Sequence, residues 1–373
     1  MIPPRHRFDF ATSSARFAAW WRGGLLDRPP VTLAVEGPPG LRSRHASLRE
    51  RWLDVEFQVE SALARWEANP PMGDNVPSFM PNVGPDLTST LFGAELEFGE
   101  DTSWCQHTVP DPAGWERMIA SPPDFANPYW TAIEAMITRA AERFAGRSYI
   151  AMPDLHGSFD LLAGLRGPED LCLDLVDEPE LVRRASLHAA RAYGEAFGRL
   201  HRQLTALGQP GTTWTPYLHP GPAYVPSCDF LCLVSRGIAG EFIRPTIELE
   251  MAPLERSIFH LDGPQALHHL DLVLELPRLD AVQWVFGAGH GPAARWLDVY
   301  RRCLRAGKAV QVLADDGDDA LAVLRELGPD GVWLAVCSPF KSIALAAEFL
   351  DAVGRLSNPN HPCPLPRSTL SVN

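Results

Sequence analysis

The sequence predicts an α/β protein built on a (β/α)8 barrel of the TIM type, and three observations carry this prediction. Residues 257–292 contain a complete strand–helix–strand unit, in which apolar runs at 257–261 and 281–286 flank a helix with Pro264 in its first turn. Strand and helix signals alternate along most of the 373 residues, which is typical of parallel sheets. Strand starts occur near residues 31, 77, 148, 212, 227, 257, 281, 309 and 331. That is one more than a closed barrel needs, so we expect either 77 or 227 to lie outside the barrel.

The first barrel unit is followed by a long irregular segment. A short helix near 15–21 precedes a β-rich strand at 31–35, and apolar residues at helical spacing predict a helix over 48–68. From residue 70 to 123 the periodic pattern fades while glycine, proline and asparagine recur. This segment is therefore predicted to be an insertion or lid after the first barrel helix. Asp74 within it is open to two interpretations, as a functional group or as the cap of a turn.

The remaining elements continue the alternation. Further strands are predicted at 148–152, 212–218, 309–314 and 331–336, and further helices at 129–145, 179–207, 242–250, around 296–304 and at 344–353. Residues 1–356 are expected to form one domain, with 70–123 as its insertion. The proline-rich tail 357–373 is expected to be disordered or to lie on the surface.

Composition limits the classes of partner. The chain has 46 acidic and 33 basic side chains and a net charge of -13, which would repel nucleic-acid phosphates and anionic lipid headgroups. Its seven cysteines form no CxxC pair and are odd in number, which argues against a disulfide framework and favours the reducing cytoplasm. No apolar run approaches the roughly 20 residues of a membrane span. We therefore expect a cytoplasmic protein that binds a small molecule, and the oligomeric state is left open.

Three polar residues at strand ends form a candidate metal site. His260 and Asp262 stand two apart on a predicted strand, so both side chains point to the same face. Cys337 ends the last strand, and the carboxyl ends of barrel strands meet at the mouth. One imidazole, one carboxylate and one thiolate can hold Zn²⁺ with a fourth position open for substrate. The alternative stays open that His260 is a hydrogen-bonded mouth residue, Asp262 a helix cap and Cys337 a small buried side chain.

Other polar residues are expected to open onto the same cavity. Glu36, His156, Asp229 and His290 each end or follow a predicted strand, which in a barrel places them at the mouth. The predicted substrate-binding residues are Glu36, Arg42, Arg44, His156, Trp284 and His290. The predicted catalytic residues are Asp74, Asp229 and His260.

Several short motifs together resemble the uroporphyrinogen decarboxylase superfamily over roughly residues 15–355. They are residues 20–24 (WWRGG), 27–31 (DRPPV), 81–85 (PNVGP), 91–94 (LFGA), 228–230 (CDF), 241–245 (EFIRP) and 259–263 (FHLDG). The resemblance implies a (β/α)8 barrel with a deep mouth. It also implies one of two activities, porphyrinogen decarboxylation or methyl transfer from a methylcobamide to a thiol.

The residues present match the two branches unequally. The decarboxylase branch carries an Arg-Gln-Ala-Gly-Arg-Tyr motif after the first strand, whereas this chain has Glu36 there, with Arg42 and Arg44 as partial substitutes. The methyltransferase branch binds zinc through His-x-Cys on one strand and a cysteine on a later one. Here the corresponding residues are His260, Asp262 and Cys337. Aspartate in place of cysteine makes the site harder and should weaken its affinity for zinc.

The leading hypothesis is methyl transfer between a corrinoid carried by a partner protein and a small thiol or other acceptor. Zn²⁺ held by His260, Asp262 and Cys337 would activate the acceptor, and Asp229 would orient His260.

Two alternatives remain. A metal-free lyase acting on a carboxylated substrate would use Asp74, Asp229 and His260 as acid–base groups and Arg42 or Arg44 as the anchor. A non-catalytic barrel would bind a corrinoid or sugar-like ligand. The aromatic surface for that ligand would consist of Trp104, Trp214, Tyr217 and Trp284.

Overall fold

Ten strands lie within residues 2–38, 40–144 and 146–358, the parts of the chain that the computed structural model describes. In chain order they are β1 (Val31–Thr32), β2 (Ser78–Phe79), β3 (Leu96–Phe98), β4 (Ser103–Cys105), β5 (Tyr149–Ile150), β6 (Ala223–Tyr224), β7 (Arg256–Asp262), β8 (Ala281–Val285), β9 (Ala309–Ala314) and β10 (Val332–Val336).

Helices fill most of the sequence between these strands. The α-helices are α1 (Phe10–Trp20), α2 (Leu48–Leu53), α3 (Val55–Ala68), α4 (Ala113–Ala120), α5 (Pro128–Phe144), α6 (Ser158–Arg166), α7 (Pro168–Asp177), α8 (Pro179–Ala206), α9 (Arg236–Ile238), α10 (Arg244–Met251), α11 (Leu270–Leu274), α12 (Leu297–Arg305), α13 (Gly317–Leu327) and α14 (Ile343–Ser357). Short 3-10 helices lie at Pro4–His6, Pro85–Phe92, Asp229–Leu233, Pro264–His269 and Ala293–Trp296, and a π-helical turn at Ala239–Ile243 joins α9 to α10.

A curled six-stranded sheet organises the molecule, in the order β1-β10-β9-β8-β7-β6, with every pair parallel. β2 and β5 form a second parallel pair. Single hydrogen bonds, from Asp74 N to Val31 O and from Met152 N to Thr212 O (both 2.8 Å), cross the two places where the ring of strands is not paired. The predicted α/β class is confirmed, with a barrel-like sheet that is incompletely closed.

The strand predicted at 212–218 is not a strand. An antiparallel bridge between Gly211 and His219 folds this segment back on itself, and Pro216 within it lacks the backbone N–H that a ladder requires. The two candidate strands near residues 77 and 227, of which one was expected to lie outside the barrel, both form. β2 lies at the predicted place near residue 77, and β6 lies just before residue 227, with Ser227 bridging to His260. Among the described strands, β2 pairs only with β5, outside the six-stranded sheet, and the surplus candidate is the segment near 212 and not 77 or 227.

Helix α1 covers the amino ends of the strands. Phe17 and Trp20 are fully buried against Trp333 of β10, with ring centroids 5.0 and 5.4 Å apart, and the Trp20 indole donates to the Val310 carbonyl of β9 (3.3 Å). This aromatic cluster closes the end of the sheet opposite to the strand ends that carry His260 and Asp262.

Asp74 belongs to this closed end and not to the mouth. Its side chain is 0% exposed, and its two oxygens accept hydrogen bonds from Ser13 Oγ, Arg16, Arg28 and the backbone N–H of Val31, the first residue of β1. The structure thus places the predicted catalytic Asp74 in a buried ion-pair network that ties α1 to β1.

The predicted insertion at 70–123 has its own secondary structure. It contains β2, the 3-10 helix Pro85–Phe92, the antiparallel hairpin β3–β4 and α4. Asp86, Trp104, Cys105 and His107 of this segment line a cavity together with residues that follow β5 and β6. The segment therefore borders the mouth, as expected for a lid.

The carboxyl end of the described chain is helical. α14 runs through Ser357, so it is longer than the predicted helix at 344–353, and the predicted tail lies outside the described residues from 359 onward. None of the helices in the described ranges combines the length and apolar character that crossing a membrane requires.

Candidate functional site

The candidate site lies where β7 ends and where the chain turns after β6. His260 and Asp262 are the fifth and last residues of β7, and their spacing of two places both on one face. Asp229 begins the 3-10 helix that follows β6. One ligand atom from each of these three residues lies within 4.8 Å of those of the other two. The predicted pairing of His260 with Asp262 is therefore present, and Asp229 joins it.

A second group of three continues the first. His156 follows β5 and Asp160 lies in the first turn of α6, and their ligand atoms, with that of Asp229, again all lie within 4.8 Å of one another. Asp229 is common to both groups. The site is therefore one cluster of two imidazoles and three carboxylates.

Gln283 fixes the orientation of His260. The two residues are register partners on β7 and β8, and His260 Nδ1 contacts Gln283 Oε1. The Gln283 Nε2 donates to Gln311 Oε1 (2.7 Å) and to Thr215 Oγ1 (3.1 Å), so its carbonyl oxygen faces the imidazole. His260 Nδ1 therefore carries the proton, and in neutral His260 the Nε2 lone pair is left for a ligand.

His156 is cationic at neutral pH. Burial opposes its charge, but the carboxylates of Asp154, Asp160, Asp229 and Asp86 raise the pKa of His156 to about 9. Asp154 Oδ2 is 3.6 Å from Nε2, and Asp160 Oδ2 is 4.0 Å from Nδ1.

Burial raises the pKa values of the surrounding carboxyl groups. For Asp160, burial and the charge of Asp229 raise the pKa to about 6 despite nearby His156. Burial followed by Asp229 also raises the pKa of Asp262, against the influence of His260, and burial raises that of Asp154. Among these carboxyl groups, Asp160 has a pKa of about 6, which suits it to exchange a proton near neutral pH.

Of the two groups, only that of Asp229, His260 and Asp262 has ligand atoms that are free to bind a metal. His156 holds a proton, and the Asp160 oxygens already accept the backbone N–H groups of Asp229 (3.1 Å) and Phe230 (2.9 Å). In contrast, Asp229 Oδ1 is shielded from solvent and has no hydrogen-bond partner within the described structure, which is the state of an oxygen that a cation would satisfy. Asp229, His260 and Asp262 thus fit a divalent metal, with one nitrogen and two oxygen ligands.

Cys337 is not brought to this group. It directly follows β10, which is separated from β7 by β8 and β9, and its sulfur belongs to neither group of ligand atoms that lie within 4.8 Å of one another. Cys337 is exposed and lines a different cavity, of about 470 Å³, with Asp315 and the loop Gly287–Gly291. Partial burial of the sulfur and the nearby carboxylates of Asp315 and Asp319 raise the pKa of Cys337, which keeps it a thiol. The side chain that the structure brings close to His260 and Asp262 is Asp229 and not Cys337.

The remaining predicted residues lie apart from the cluster. Trp284 is 0% exposed and packs edge-on against Trp296 (5.2 Å), so it is a core residue. Glu36 is exposed and pairs with Lys341, and Arg42 and Arg44 are also exposed. His290 is exposed, and its carbonyl accepts the Trp296 indole N–H (3.0 Å).

The aromatic surface proposed for a binding barrel is only partly present. Tyr217 is 0% exposed, whereas Trp104 is 49% exposed and lines the acidic cavity of about 330 Å³ with His156 and Asp229. Trp214 is partly buried, and its ring meets that of His260 edge-on at 5.3 Å.

Sequence reasoning missed Asp154, Asp160 and Gln283. Asp154 and His156 share the two-residue spacing that identified His260 and Asp262, and Asp160 follows His156 by four, so a pattern was available for both. In the sequence, Gln283 and Gln311 are only two polar residues inside otherwise apolar strands. Their role follows from the strand register, which makes them neighbours on β8 and β9.

Comparison with known proteins shows the fold and little more. No family model matches the chain, and no curated protein matches it by sequence. A solved methyltransferase from Methanosarcina mazei is 13% identical, with a TM-score of 0.59 over 91% of this chain and 97% of that one. A B12-independent methionine synthase from Shewanella sp. W3-18-1, solved in complex with selenomethionine, is 11% identical, with a TM-score of 0.43 over 87% and 95%. The chain therefore shares its fold, over nearly its whole described length, with the Methanosarcina methyltransferase.

Proposed function

We propose that this protein is a metal-assisted methyltransferase of the uroporphyrinogen decarboxylase superfamily, with its metal held at the mouth by Asp229, His260 and Asp262. The observation that carries the proposal is the meeting of these three ligand atoms within 4.8 Å, one of them a buried oxygen with no hydrogen-bond partner in the described structure. The fold shared with a methyltransferase is in keeping with this activity but does not by itself indicate it.

The ligand set suits a divalent ion. Two carboxylates and one neutral imidazole balance a charge of two, and their nitrogen and oxygen atoms accept Zn²⁺, Fe²⁺ or Mn²⁺. We propose Zn²⁺, as the family resemblance implies. When bound, the ion would act as a Lewis acid that lowers the pKa of a coordinated thiol or other acceptor.

The surrounding residues prepare the site for this chemistry. Gln283 holds the His260 imidazole with Nε2 directed away from the β8 amide. Asp160, with a pKa of about 6, is largely ionised at neutral pH and can receive the proton that the acceptor loses. The acceptor's electron pair forms the new bond to the methyl carbon, and the donor keeps the pair from the bond that breaks. The proposed donor is a methylated corrinoid on a partner protein.

Metal analysis and a turnover assay test this proposal together. Purified protein should contain near-stoichiometric metal that is lost in His260→Ala and in Asp229→Ala. The matched control is Cys337→Ser, which should keep its metal. With methylcobalamin and a thiol, the wild-type protein should release the demethylated corrinoid, seen in its visible spectrum, and His260→Ala should not. Metal-free wild-type protein with full activity would refute the proposal.

A second function is favoured by one observation, the protonated His156 beside Asp160. Two neighbouring groups whose pKa values are about 9 and about 6 form an acid–base pair, which a metal-free lyase could use to protonate a carbanion after decarboxylation. The carboxylates at the mouth oppose an anionic substrate, which weighs against this alternative. Incubation with uroporphyrinogen III decides it, since products that have lost carboxyl groups would favour the lyase and absence of turnover would remove it.

A further inference from the structure

A cavity of about 630 Å³ lies beside the unpaired edge of the sheet, and the proposed methyl transfer does not use it. Its walls come from α2 and α3, from β2 and from residues 213–216. A neighbouring cavity of about 440 Å³ reaches the residues that follow β1, from Leu33 to Glu36, and the two cavities share Arg65, Trp66 and Asn75. The cavities therefore occupy the place where β1 and β2 are not paired, and α3 covers them.

The larger cavity has a mixed polar and apolar lining that includes several aromatic side chains. Five aromatic side chains line it, namely Trp52, Phe57, Trp66, Phe79 and Trp214. On α3, residues Phe57, Ser61 and Arg65 follow one another at intervals of four, so that one helix face presents a ring, a hydroxyl and a guanidinium to the cavity. A volume of this size is in the range of small-molecule sites, and aromatic walls favour flat rings.

The cavity also carries an uncompensated positive charge. Its ionisable lining residues are Arg51, Arg65 and Glu100. Arg51 is neutralised by Glu100 at 2.5 Å, whereas Arg65 has no carboxylate within 4.0 Å in the ranges that the structure describes. In a chain with a net charge of -13, this cavity is thus locally cationic, in contrast to the acidic cavity around His156.

Trp214 connects this cavity to the candidate site. Its side chain lines the cavity and meets the ring of His260 edge-on, with centroids 5.3 Å apart. A molecule that packs against Trp214 from the cavity is therefore separated from His260 by a single indole.

We propose that the cavity binds a planar aromatic compound with one anionic substituent, the ring packing among the tryptophan and phenylalanine side chains and the anion pairing with Arg65. The claim that this compound binds does not depend on the metal.

Calorimetric titration of the full-length protein with 4-methoxybenzoate tests the proposal. Two comparison compounds each remove one feature: 4-methoxybenzyl alcohol lacks the charge and cyclohexanecarboxylate lacks the aromatic ring. We expect 4-methoxybenzoate to bind at least about tenfold more tightly than either comparison compound. The alcohol lacks one charge-assisted contact, and cyclohexanecarboxylate lacks one stacked ring.

Variants separate the site from the rest of the molecule. Arg65→Gln should weaken 4-methoxybenzoate about tenfold and leave the alcohol unchanged, and Trp66→Leu should weaken both aromatic compounds. The matched control is Arg191→Gln, an exposed arginine of α8 that lines neither cavity. Equal affinity for the three compounds, no detectable binding of 4-methoxybenzoate, or an unchanged affinity in Arg65→Gln would overturn the inference.

His260→Ala distinguishes this inference from the proposed function. Binding of 4-methoxybenzoate should persist in this variant even though its metal is lost. If wild-type protein proves to be metal-free yet binds the compound through Arg65, the methyltransferase proposal fails and the binding site stands.

Discussion

At the scale of single residues, the candidate site depends on how one imidazole is held. In the group with Asp229 and Asp262, His260 is the only residue that offers a nitrogen. Gln283 on the next strand contacts Nδ1 of His260 and so leaves Nε2 for a metal. Gln283 is in turn fixed by Gln311 and Thr215. The metal proposal therefore extends to residues that do not touch the metal.

Gln283→Leu should weaken the metal site. Without the amide oxygen, His260 loses the acceptor that keeps the proton on Nδ1, and we expect metal affinity to fall about 10- to 100-fold. Competition with a chromophoric chelator measures the affinity, and ¹⁵N NMR of the imidazole in metal-free protein reports the tautomer. Gln311→Leu, one step further away, should have a smaller effect on both. Unchanged affinity and tautomer in Gln283→Leu would contradict this role.

Residue spacing predicted that His260 and Asp262 lie together, whereas the third member of the group depends on the order of the strands in the sheet. His260 and Asp262 could be joined from sequence because a strand repeats every two residues. Cys337 could not be ruled out, because its distance from them depends on β8 and β9 lying between β7 and β10. Asp229 was expected to orient His260, and only the turn after β6 brings its carboxylate within 4.8 Å of the ligand atoms of His260 and Asp262.

At the scale of elements, Asp74 joins α1 to β1 through a buried network. Arg16 and Arg28 both pair with it, and the side chains of these arginines are only 11% and 10% exposed. Removing the carboxylate leaves Arg28 and the Val31 N–H without this partner, and leaves Arg16 with only the exposed Asp27.

Asp74→Ala should lower the free energy of unfolding by about 3–5 kcal/mol, the usual cost of breaking a buried ion pair. Urea denaturation measures it. Asp27→Ala is the matched control, since Asp27 also pairs with Arg16 but is 52% exposed, so about 0–1 kcal/mol is expected. Metal content should be the same in both variants. Equal destabilisation by the two changes, or loss of metal in Asp74→Ala alone, would contradict the structural role.

Glu250 links α10 to the start of α6, directly beside His156. Its Oε1 accepts from the backbone N–H (2.7 Å) and the hydroxyl (2.6 Å) of Ser158, and its Oε2 fills the space that a side chain at Gly157 would need. Burial raises the pKa of Glu250 to about 7, although the Ser158 hydrogen bonds oppose this shift.

The raised pKa gives Glu250 a defined effect on stability. Because the folded value lies above the ordinary value of 4.5, its contribution is complete below pH 4.5 and is lost as the pH rises through 7. The loss amounts to at most about 3 kcal/mol. Glu250→Gln keeps an acceptor for Ser158 and removes this titration.

The comparison of unfolding free energies at pH 5 and pH 8 tests this effect. The decrease between the two should be smaller in Glu250→Gln than in the wild type, and Glu248→Gln on the same helix should match the wild type. An unchanged pH dependence in Glu250→Gln would show that Glu250 is not the titrating group.

Elements with a clear period were easier to predict than short ones. β7 to β10 are buried on both faces and appear as continuous apolar runs, so their positions agree with prediction to within a residue or two. β2, β5 and β6 have two residues each, too few for a period. The segment 212–218 has β-forming residues, but Pro216 and the bridge from Gly211 to His219 turn it into a loop.

At the scale of the whole molecule, charge is divided between two neighbouring cavities. The acidic one holds His156 and Asp229, and the aromatic one holds the unpaired Arg65. Trp214, in contact with His260, stands between the second cavity and the metal ligands. The barrel-like fold was predictable from alternating strand and helix signals. The opening between β1 and β2 was not, because it depends on which strands fail to pair.

The central claim is that the site binds its metal through one imidazole and two carboxylates, without sulfur. X-ray absorption at the edge of the bound metal, recorded on zinc-loaded protein without added thiol, tests it most directly. The account predicts nitrogen and oxygen ligands alone at about 2.0–2.2 Å, and the same spectrum for Cys337→Ser. A sulfur ligand at about 2.3 Å that disappears in Cys337→Ser would contradict it.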